Sequence, residues 1–168
     1  MSSSLKSVRT KGISLRPVRP EDEEFLLRVY ASTRADEMSI VPWTDAQKDD
    51  FVRMQFQAQH VHYTTHYPDA EFSIIVKDDH DIGRIYIHRR DDEIRIVDIA
   101  LLPDFRRSGI GTDLIRQILD EGDAAGKPVR IHVERFNSAL RLYERLGFNV
   151  IRDAGVYFLM EYRAAQPH

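Results

Sequence analysis

Residues 97–111 read Val-Asp-Ile-Ala-Leu-Leu-Pro-Asp-Phe-Arg-Arg-Ser-Gly-Ile-Gly, and they set most of the topology. The apolar run from Ile94 to Leu102 is long and almost uninterrupted, which predicts a strand covered on both faces. Pro103 to Gly109 predicts a loop, and apolar residues at helical spacing predict a helix over Ile110 to Ala124. Because another apolar segment follows at Val129 to Val133, these residues indicate a β-α-β crossover.

The elements on either side of the crossover give the fold class. The pattern Thr44-x-x-Gln47 matches a capping box, which predicts a helix beginning near Asp45. Periodicity predicts the other elements: strand Ile13–Val18, helix Glu21–Arg34, strands Phe72–Lys77 and Ile82–Arg90, helix Ser138–Leu146, and strands Phe148–Arg152 and Val156–Tyr162. The order β-α-α-β-β-β-α-β-α-β-β predicts an α+β fold, in which a mixed, largely antiparallel twisted sheet carries helices on both faces.

Composition narrows the functional classes. We expect one domain over residues 13–162, with a loose tail at 1–12 and a short tail at 163–168, because no repeat or linker interrupts the pattern. The net charge of −3 argues against a nucleic-acid partner, and no apolar run approaches a membrane span. The chain has no cysteine, which excludes disulfides and cysteine nucleophiles and fits a cytoplasmic location.

The connection between the long strand and its helix has the chemistry of an anion-binding loop. Its glycines allow the main chain to approach a ligand closely, and the helix start offers free N–H groups and a positive dipole. The residues that would hold a pyrophosphate are Arg106, Arg107, Ser108, Gly109, Ile110, Gly111 and Thr112. The alternative is a solvated loop whose glycines only tighten a turn. Neither the dinucleotide fingerprint nor the P-loop pattern fits these residues.

Residues 97–111 resemble the central motif of the GNAT superfamily of N-acetyltransferases, Gln/Arg-x-x-Gly-x-Gly/Ala after an apolar strand. Residues 133–148 resemble the family's second motif, with Asn137, Ala139, Leu142, Tyr143 and Leu146-Gly147-Phe148 in the expected order. The likeness covers about residues 13–162 in element order and about 97–148 at motif level. It implies the acyl-CoA N-acyltransferase fold, acetyl-CoA as cofactor, and acetyl transfer to a primary amine in a ternary complex.

The resemblance also implies roles for individual residues. Main-chain groups of Ile99 and Leu101 would hold the pantetheine arm, and a bulge in that strand would turn an amide, expected to be that of Leu101, toward the thioester carbonyl. Asn137 would bond coenzyme A, cap the short helix, or do both. Tyr143 would be the general acid that protonates the departing thiolate; the alternative is a core tyrosine on a helical stripe.

The general base is left open between two residues and a water chain. Asp98 is a carboxylate within an apolar strand, so it is either a base with a raised pKa or the partner of an arginine such as Arg84 or Arg95. His132 has a suitable unperturbed pKa, but some protein-acetylating relatives carry a carboxylate there.

The acceptor pocket of the family lies between the first two helices, their connection and the last hairpin. Glu37 and Trp43 stand in the predicted connection, where they would attract and pack on an ammonium group, or else be a solvated acid and a core aromatic. On neither a helix nor a strand would the side chains of His60, His62 and His66 share one face, so no metal site is expected. The sequence leaves open a small-molecule or a protein amine, a monomer or a homodimer, and a non-catalytic acyl-CoA sensor or a nucleotide-phosphate binder as alternatives to an enzyme.

Overall fold

The computed structural model describes residues 12–164. Its elements are β1 Ile13–Pro17, α1 Glu23–Ser39, α2 Asp45–His66, β2 Glu71–Lys77, β3 His80–Arg89, β4 Ile94–Leu101, α3 Ile110–Ala125, β5 Val129–Glu134, α4 Leu140–Arg145, β6 Asn149–Ala154 and β7 Tyr157–Tyr162. Short 3-10 turns precede α1 and follow β4. The predicted element order is confirmed.

All the strands join one seven-stranded sheet with the order β1-β2-β3-β4-β5-β7-β6. The pair β4–β5, joined by α3, is parallel, whereas the other neighbouring pairs are antiparallel. This is the mixed, largely antiparallel sheet that the sequence predicts. The parallel pair requires a crossover, and α3 supplies it.

Two apolar clusters attach the helices to opposite faces of the sheet. On the α3 face, the helical stripe of α3 packs on β4 and β5, with Leu114, Ile118 and Val129 fully buried. On the α1 face, the cluster is smaller and joins α1 and α2 to β2 through Leu26, Tyr30, Val52, Phe56 and Ile74. The protein therefore has a helix layer on each side, and the larger core lies on the side of α3 and α4.

The structure corrects three sequence predictions. Helix α1 continues to Ser39 instead of ending at Arg34, because no glycine or proline interrupts it before Pro42. The strand β4 is not covered on both faces: residues 97–101 are only partly buried, although Ile96 is fully buried. Helix α4 begins at Leu140 and not at Ser138.

The predicted tails lie mostly outside the described residues, which include only Gly12 of the first and Arg163 and Ala164 of the second. Within residues 12–164, none of the helices combines the length and the apolar character that a membrane crossing requires.

Candidate active site

A gap opens between the parallel strands β4 and β5. They pair at Ile94–Val129, Arg95–Arg130 and Ile96–Ile131, and no later pair joins them. The cause is visible in the pairing of β4 with β3, where Asp98 faces Tyr86 and Ile96 faces Ile87, so that Val97 is an extra residue. A bulge of this kind bends the strand that carries it. The bend at Val97 lets β4 follow β3 while β5 follows β7.

The main chain of β4 beyond the bulge is available on the side of the gap. The N–H of Leu102 donates to the C=O of Ile82 at 2.8 Å, which marks a hydrogen-bonded pair. Such pairs alternate along antiparallel strands, so the N–H and C=O groups of Ile99 and Leu101 point away from β3. The sequence prediction assigned the pantetheine arm to these two residues. The predicted bulge lies at Val97, before both of them.

The loop after β4 leads into the N-terminus of α3 through two residues with positive φ, Arg107 at 60° and Gly109 at 87°. A Cβ added to Gly109 would meet nothing within 4 Å, so its backbone conformation, and not crowding, favours glycine there. The N–H of Asp113 makes the first helical bond, to the C=O of Gly109, and no side chain caps the helix. The N–H groups at 110–112 therefore lack helical acceptors, as an anion site at a helix start requires.

The side chains of the loop are less free than the sequence suggests. Arg106 Nε donates to the C=O of Leu101 at 2.9 Å, and its Nη2 donates to Ser32 Oγ at 2.9 Å. Ser108 Oγ donates to the C=O of Phe105 at 2.7 Å. The guanidinium of Arg106 thus lies along β4 and reaches α1, while Arg107 is exposed.

Tyr143 and Asp98 approach the gap from opposite faces. Tyr143 belongs to the core on the α3 face and is 6% exposed. Burial, with the negative charge of Asp98 second, raises the pKa of Tyr143 to about 12. Among the described residues, the Tyr143 hydroxyl has no hydrogen-bond partner. It is also not one of the polar atoms that are completely buried without a partner. A protonated hydroxyl without a protein partner, close to the gap, is what the predicted acid requires; its role stays a prediction.

Asp98 forms an ion pair with Arg84 of β3. The side chain of Arg84 is 3% exposed and that of Asp98 is 18% exposed, and Arg84 Nη2 also donates to Gln59 of α2 at 2.8 Å. Burial alone would lower the pKa of Arg84, but the charges of Asp98, Tyr86 and Tyr63 and the hydrogen bond to Asp98 together outweigh burial and raise this pKa. Of the two roles left open for Asp98, the structure displays the arginine partner.

His132 lies on the exposed side of β5, on the α1 face, with Nδ1 at 3.2 Å from Arg95 Nη1. Burial and then the positive charges of Arg95 and Arg152 lower the pKa of His132. The imidazole is therefore neutral at pH 7, which suits a base but weakens it.

The other predicted residues lie in the turn before α4, at the end of α1 and in the α1–α2 connection. Asn137 Oδ1 accepts from the N–H of Ala139 at 2.8 Å, so it starts the turn before α4 and does not cap the helix itself. Glu37, predicted in a connection, lies in the last turn of α1 and pairs with Arg34 at 3.0 Å. Trp43 lies in the connection, is 43% exposed and packs edge-on against Phe51.

Sequence reasoning missed three acceptor-side residues, which lie on distant elements and belong to no motif. Tyr63 of α2 has its pKa raised by burial and then by the charge of Asp98. Glu134, at the end of β5, pairs with Arg34 of α1 at 2.9 Å. Tyr157 of β7 is paired with Glu134 in the sheet, and burial and then that carboxylate raise the pKa of Tyr157. Two tyrosines and two paired carboxylates therefore surround the gap on the α1 face.

Histidine, aspartate and glutamate side chains do not form a metal centre anywhere in residues 12–164. The ring centroids of His62 and His66 are 4.2 Å apart, with the rings tilted, on the exposed side of α2.

A bulged strand that diverges from its parallel neighbour, beside a helix start suited to a pyrophosphate, defines the acyl-CoA N-acyltransferase class of fold. The family model described as "Acetyltransferase (GNAT) family" matches residues 30–148, which is more than half of the chain. The protein therefore belongs to the GNAT acetyltransferase family.

Two kinds of relative agree with this assignment. The ribosomal protein bS18-alanine N-acetyltransferase of Salmonella typhimurium is 40% identical over 60 residues, which are 34% of this chain and 40% of that protein. The match thus spans well under half of the curated relative's length.

Among solved structures, PaiA N-acetyltransferase from Thermoplasma acidophilum in complex with coenzyme A has a TM-score of 0.66 at 22% identity, covering 90% of this chain and 99% of that one. The Escherichia coli ribosomal-protein-S18-alanine N-acetyltransferase has a TM-score of 0.61 at 17% identity, covering 93% of this chain and 96% of that one. At these identities the likeness concerns the fold.

Proposed function

We propose that this protein transfers the acetyl group of acetyl-CoA to a primary amine, by direct attack of the amine within a ternary complex. The observation that carries the proposal is the divergence of β4 from β5 after Ile96, with the main-chain groups of Ile99 and Leu101 facing the gap. Membership of the GNAT family and the coenzyme A complex of a structural neighbour support it.

The residues present fit such a cofactor. Three N–H groups at the start of α3 have no helical acceptor, and the open space at Gly109 leaves room for a diphosphate against the main chain. Arg107 adds positive charge, and Arg106 adds it after leaving its bonds to Leu101 and Ser32. Asn137, beside the start of α4, would bond the arm of the same molecule. When bound, acetyl-CoA supplies an activated acetyl thioester.

The chain's own residues would have three tasks, two of them at the thioester and the third at the amine. The N–H of Leu101 would donate to the carbonyl oxygen of the bound thioester, a contribution typically worth about 3 kcal/mol. Tyr143 remains protonated because its pKa is about 12, so it donates a hydrogen bond to the departing sulfur. Complete proton transfer is not essential, since a free thiol has a pKa near 8.5 and its thiolate can leave as such.

An acceptor that arrives as an ammonium ion would lose one proton before its nitrogen can bond the carbonyl carbon. It would lose a second proton as the carbon–sulfur bond breaks, and that proton would pass to the departing thiolate or to water. His132, neutral at pH 7, would accept the first proton directly or through water, while Asp98 and Glu134 would attract the incoming ammonium. Tyr63 and Tyr157 would flank the amine at this point, with Glu37 reaching it through Arg34 and Trp43 packing at the mouth.

The test has two parts. Acetyl-CoA and coenzyme A should raise the melting temperature, whereas ATP and NAD should not, because binding to the folded state stabilises it. Thiol release is then followed with a panel of amines, amino acids and peptides. A melting temperature that saturating acetyl-CoA leaves unchanged would contradict the cofactor. A shift without thiol release from any amine would instead support the non-catalytic acyl-CoA sensor.

A further inference from the structure

Part of the α1 face carries no helix. Helices α1 and α2 pack over β2, β3 and the nearer part of β4, and α1 reaches β5 through the pair Arg34–Glu134. Beyond that pair the face formed by β5, β7 and β6 is open, and both His132 and Arg152 are exposed on it. This open area continues directly into the acceptor side of the gap.

The strand register arranges the side chains of this area in rows. The row at the gap contains Glu134 and Tyr157. The next row contains His132, Leu159 and Arg152, and the row after it contains Arg95 and Arg130 beside Glu161. We call Arg95, Arg130, His132 and Arg152 the basic face.

The carboxylates beneath the basic face are covered by arginines. Glu93 is 5% exposed and bonds Arg95 Nε at 2.8 Å, and Glu161 is 12% exposed and bonds Arg130 Nε at 2.8 Å. Arg152 has no ion pair to any described residue. The outer layer is therefore cationic in a protein whose net charge is −3.

Two histidines on the α1 face, His132 and His88, have lowered pKa values. Positive charges of Arg95 and Arg152 act together with burial to lower the pKa of His132. Burial and the charge of Arg90 lower the pKa of His88, on the same side of β3, although Asp69 and Glu93 oppose this. At His132 positive charge therefore adds to the effect of burial, whereas at His88 charges of both signs act.

We propose that the basic face binds the acidic segment of a peptide acceptor whose N-terminal amine enters the gap; the proposal rests on the function proposed above. The charges are complementary to such a molecule, because the ammonium end meets Asp98 and Glu134 and the following carboxylates meet Arg152, Arg95 and Arg130. An extended chain advances about 3.3 Å per residue, so side chains two residues apart match rows two residues apart along β5. The third and fifth residues of the peptide then lie over the two basic rows. The same face repels polyamines and basic peptides.

The experiment compares peptides that share their first, second and fourth residues and carry Glu, Gln or Lys at positions 3 and 5. Thiol release with the full chain and acetyl-CoA gives kcat/KM for each peptide. We expect the order Glu, Gln, Lys, with about a tenfold difference between the extremes at low salt, because rim charges act mainly on encounter and orientation. The difference should shrink in 0.5 M NaCl.

Two variants with the same change in net charge locate the effect. Arg152→Glu should remove or reverse the preference for Glu over Lys. Arg53→Glu is the matched control, since Arg53 lies on α2 in an exposed pair with Glu24, and it should keep the wild-type preference. Equal rates for the Glu and Lys peptides, a preference for Lys, or the same change in both variants would overturn the proposal.

The outcome separates this proposal from the one on which it rests. Thiol release with small amines but with none of the peptides would leave acetyl transfer standing and overturn the basic face as a docking surface. Absence of thiol release with every amine, although acetyl-CoA raises the melting temperature, would overturn acetyl transfer and the docking proposal with it.

Discussion

The candidate sites on the two faces of the sheet consist of different kinds of group. On the α3 face, the candidate cofactor site consists of main chain: strand groups of Ile99 and Leu101, and N–H groups at the start of α3. On the α1 face, the candidate acceptor site consists of side chains, held by the pairs Arg84–Asp98 and Arg34–Glu134. Main-chain recognition tolerates many sequences, whereas side-chain recognition sets specificity. We therefore expect the cofactor to be shared across the family and the acceptor to be particular to this chain.

The largest effect should come from breaking the buried pair on the α1 face. Asp98→Ala leaves the guanidinium of Arg84 buried and without its carboxylate, which should lower the free energy of unfolding by about 3 kcal/mol. Urea unfolding measures this. Arg53→Ala, which removes an exposed pair, should cost less than about 0.5 kcal/mol. A stable Asp98→Ala protein with lost turnover would instead identify Asp98 as the base.

The next effect concerns Tyr143, the residue of the α3 face that reaches the gap. Tyr143→Phe should lower kcat about 100-fold and leave the affinity for acetyl-CoA nearly unchanged, since a positioned acid acts mainly on the transition state. Stopped-flow thiol release and calorimetry give the two quantities. Tyr162→Phe is the control, because that hydroxyl bonds Asp123 at 3.0 Å. Unchanged turnover in Tyr143→Phe would remove this residue from the chemistry.

A smaller effect tests the main-chain site. Gly109→Ala forces a side chain into φ 87°, which costs about 1–2 kcal/mol and should weaken acetyl-CoA binding roughly tenfold if the loop adjusts. Gly155→Ala in the β6–β7 turn, at φ 80° and with equally open surroundings, should lose similar stability without losing acetyl-CoA affinity. Equal losses of affinity in both variants would mean that the loop at Gly109 has no particular role in binding acetyl-CoA.

The smallest effect is a dependence of stability on pH that arises from Glu93 on the α1 face. Burial would raise the pKa of Glu93, but hydrogen bonds and charges of Arg95 and Arg130 outweigh it and lower this pKa below 4.5. The pairing therefore stabilises the fold fully above pH 4.5, and this stability is lost as the pH falls through the lowered pKa. The urea midpoint of the wild type should exceed that of Glu93→Gln at pH 7, and this difference should vanish toward pH 3. A difference in urea midpoint that stays constant with pH would contradict the lowered pKa of Glu93.

The same division explains how much the sequence could predict. The loop at 106–111 and the helix after it were predictable because their glycines and apolar spacing act locally. A bulge does not change the apolar pattern of a strand, so the sequence around Val97 predicted a strand buried on both faces. Tyr63 of α2 and Tyr157 of β7 belong to no motif, and only the folded chain brings Tyr63 near Asp98 and Tyr157 beside Glu134. Glu134 likewise belongs to the candidate acceptor site through its ion pair with Arg34, which is distant in sequence.

Arg106 ties the cofactor loop to the first helix, because its guanidinium bonds both the carbonyl of Leu101 and the hydroxyl of Ser32. A diphosphate that draws this side chain toward itself would release both of those groups at once. The carbonyl would become free for the thioester arm, and the first helix would lose a tether beside the acceptor entrance. Acetyl-CoA would then bind first and the amine second, and inhibition by the product coenzyme A would be competitive with acetyl-CoA but not with the amine.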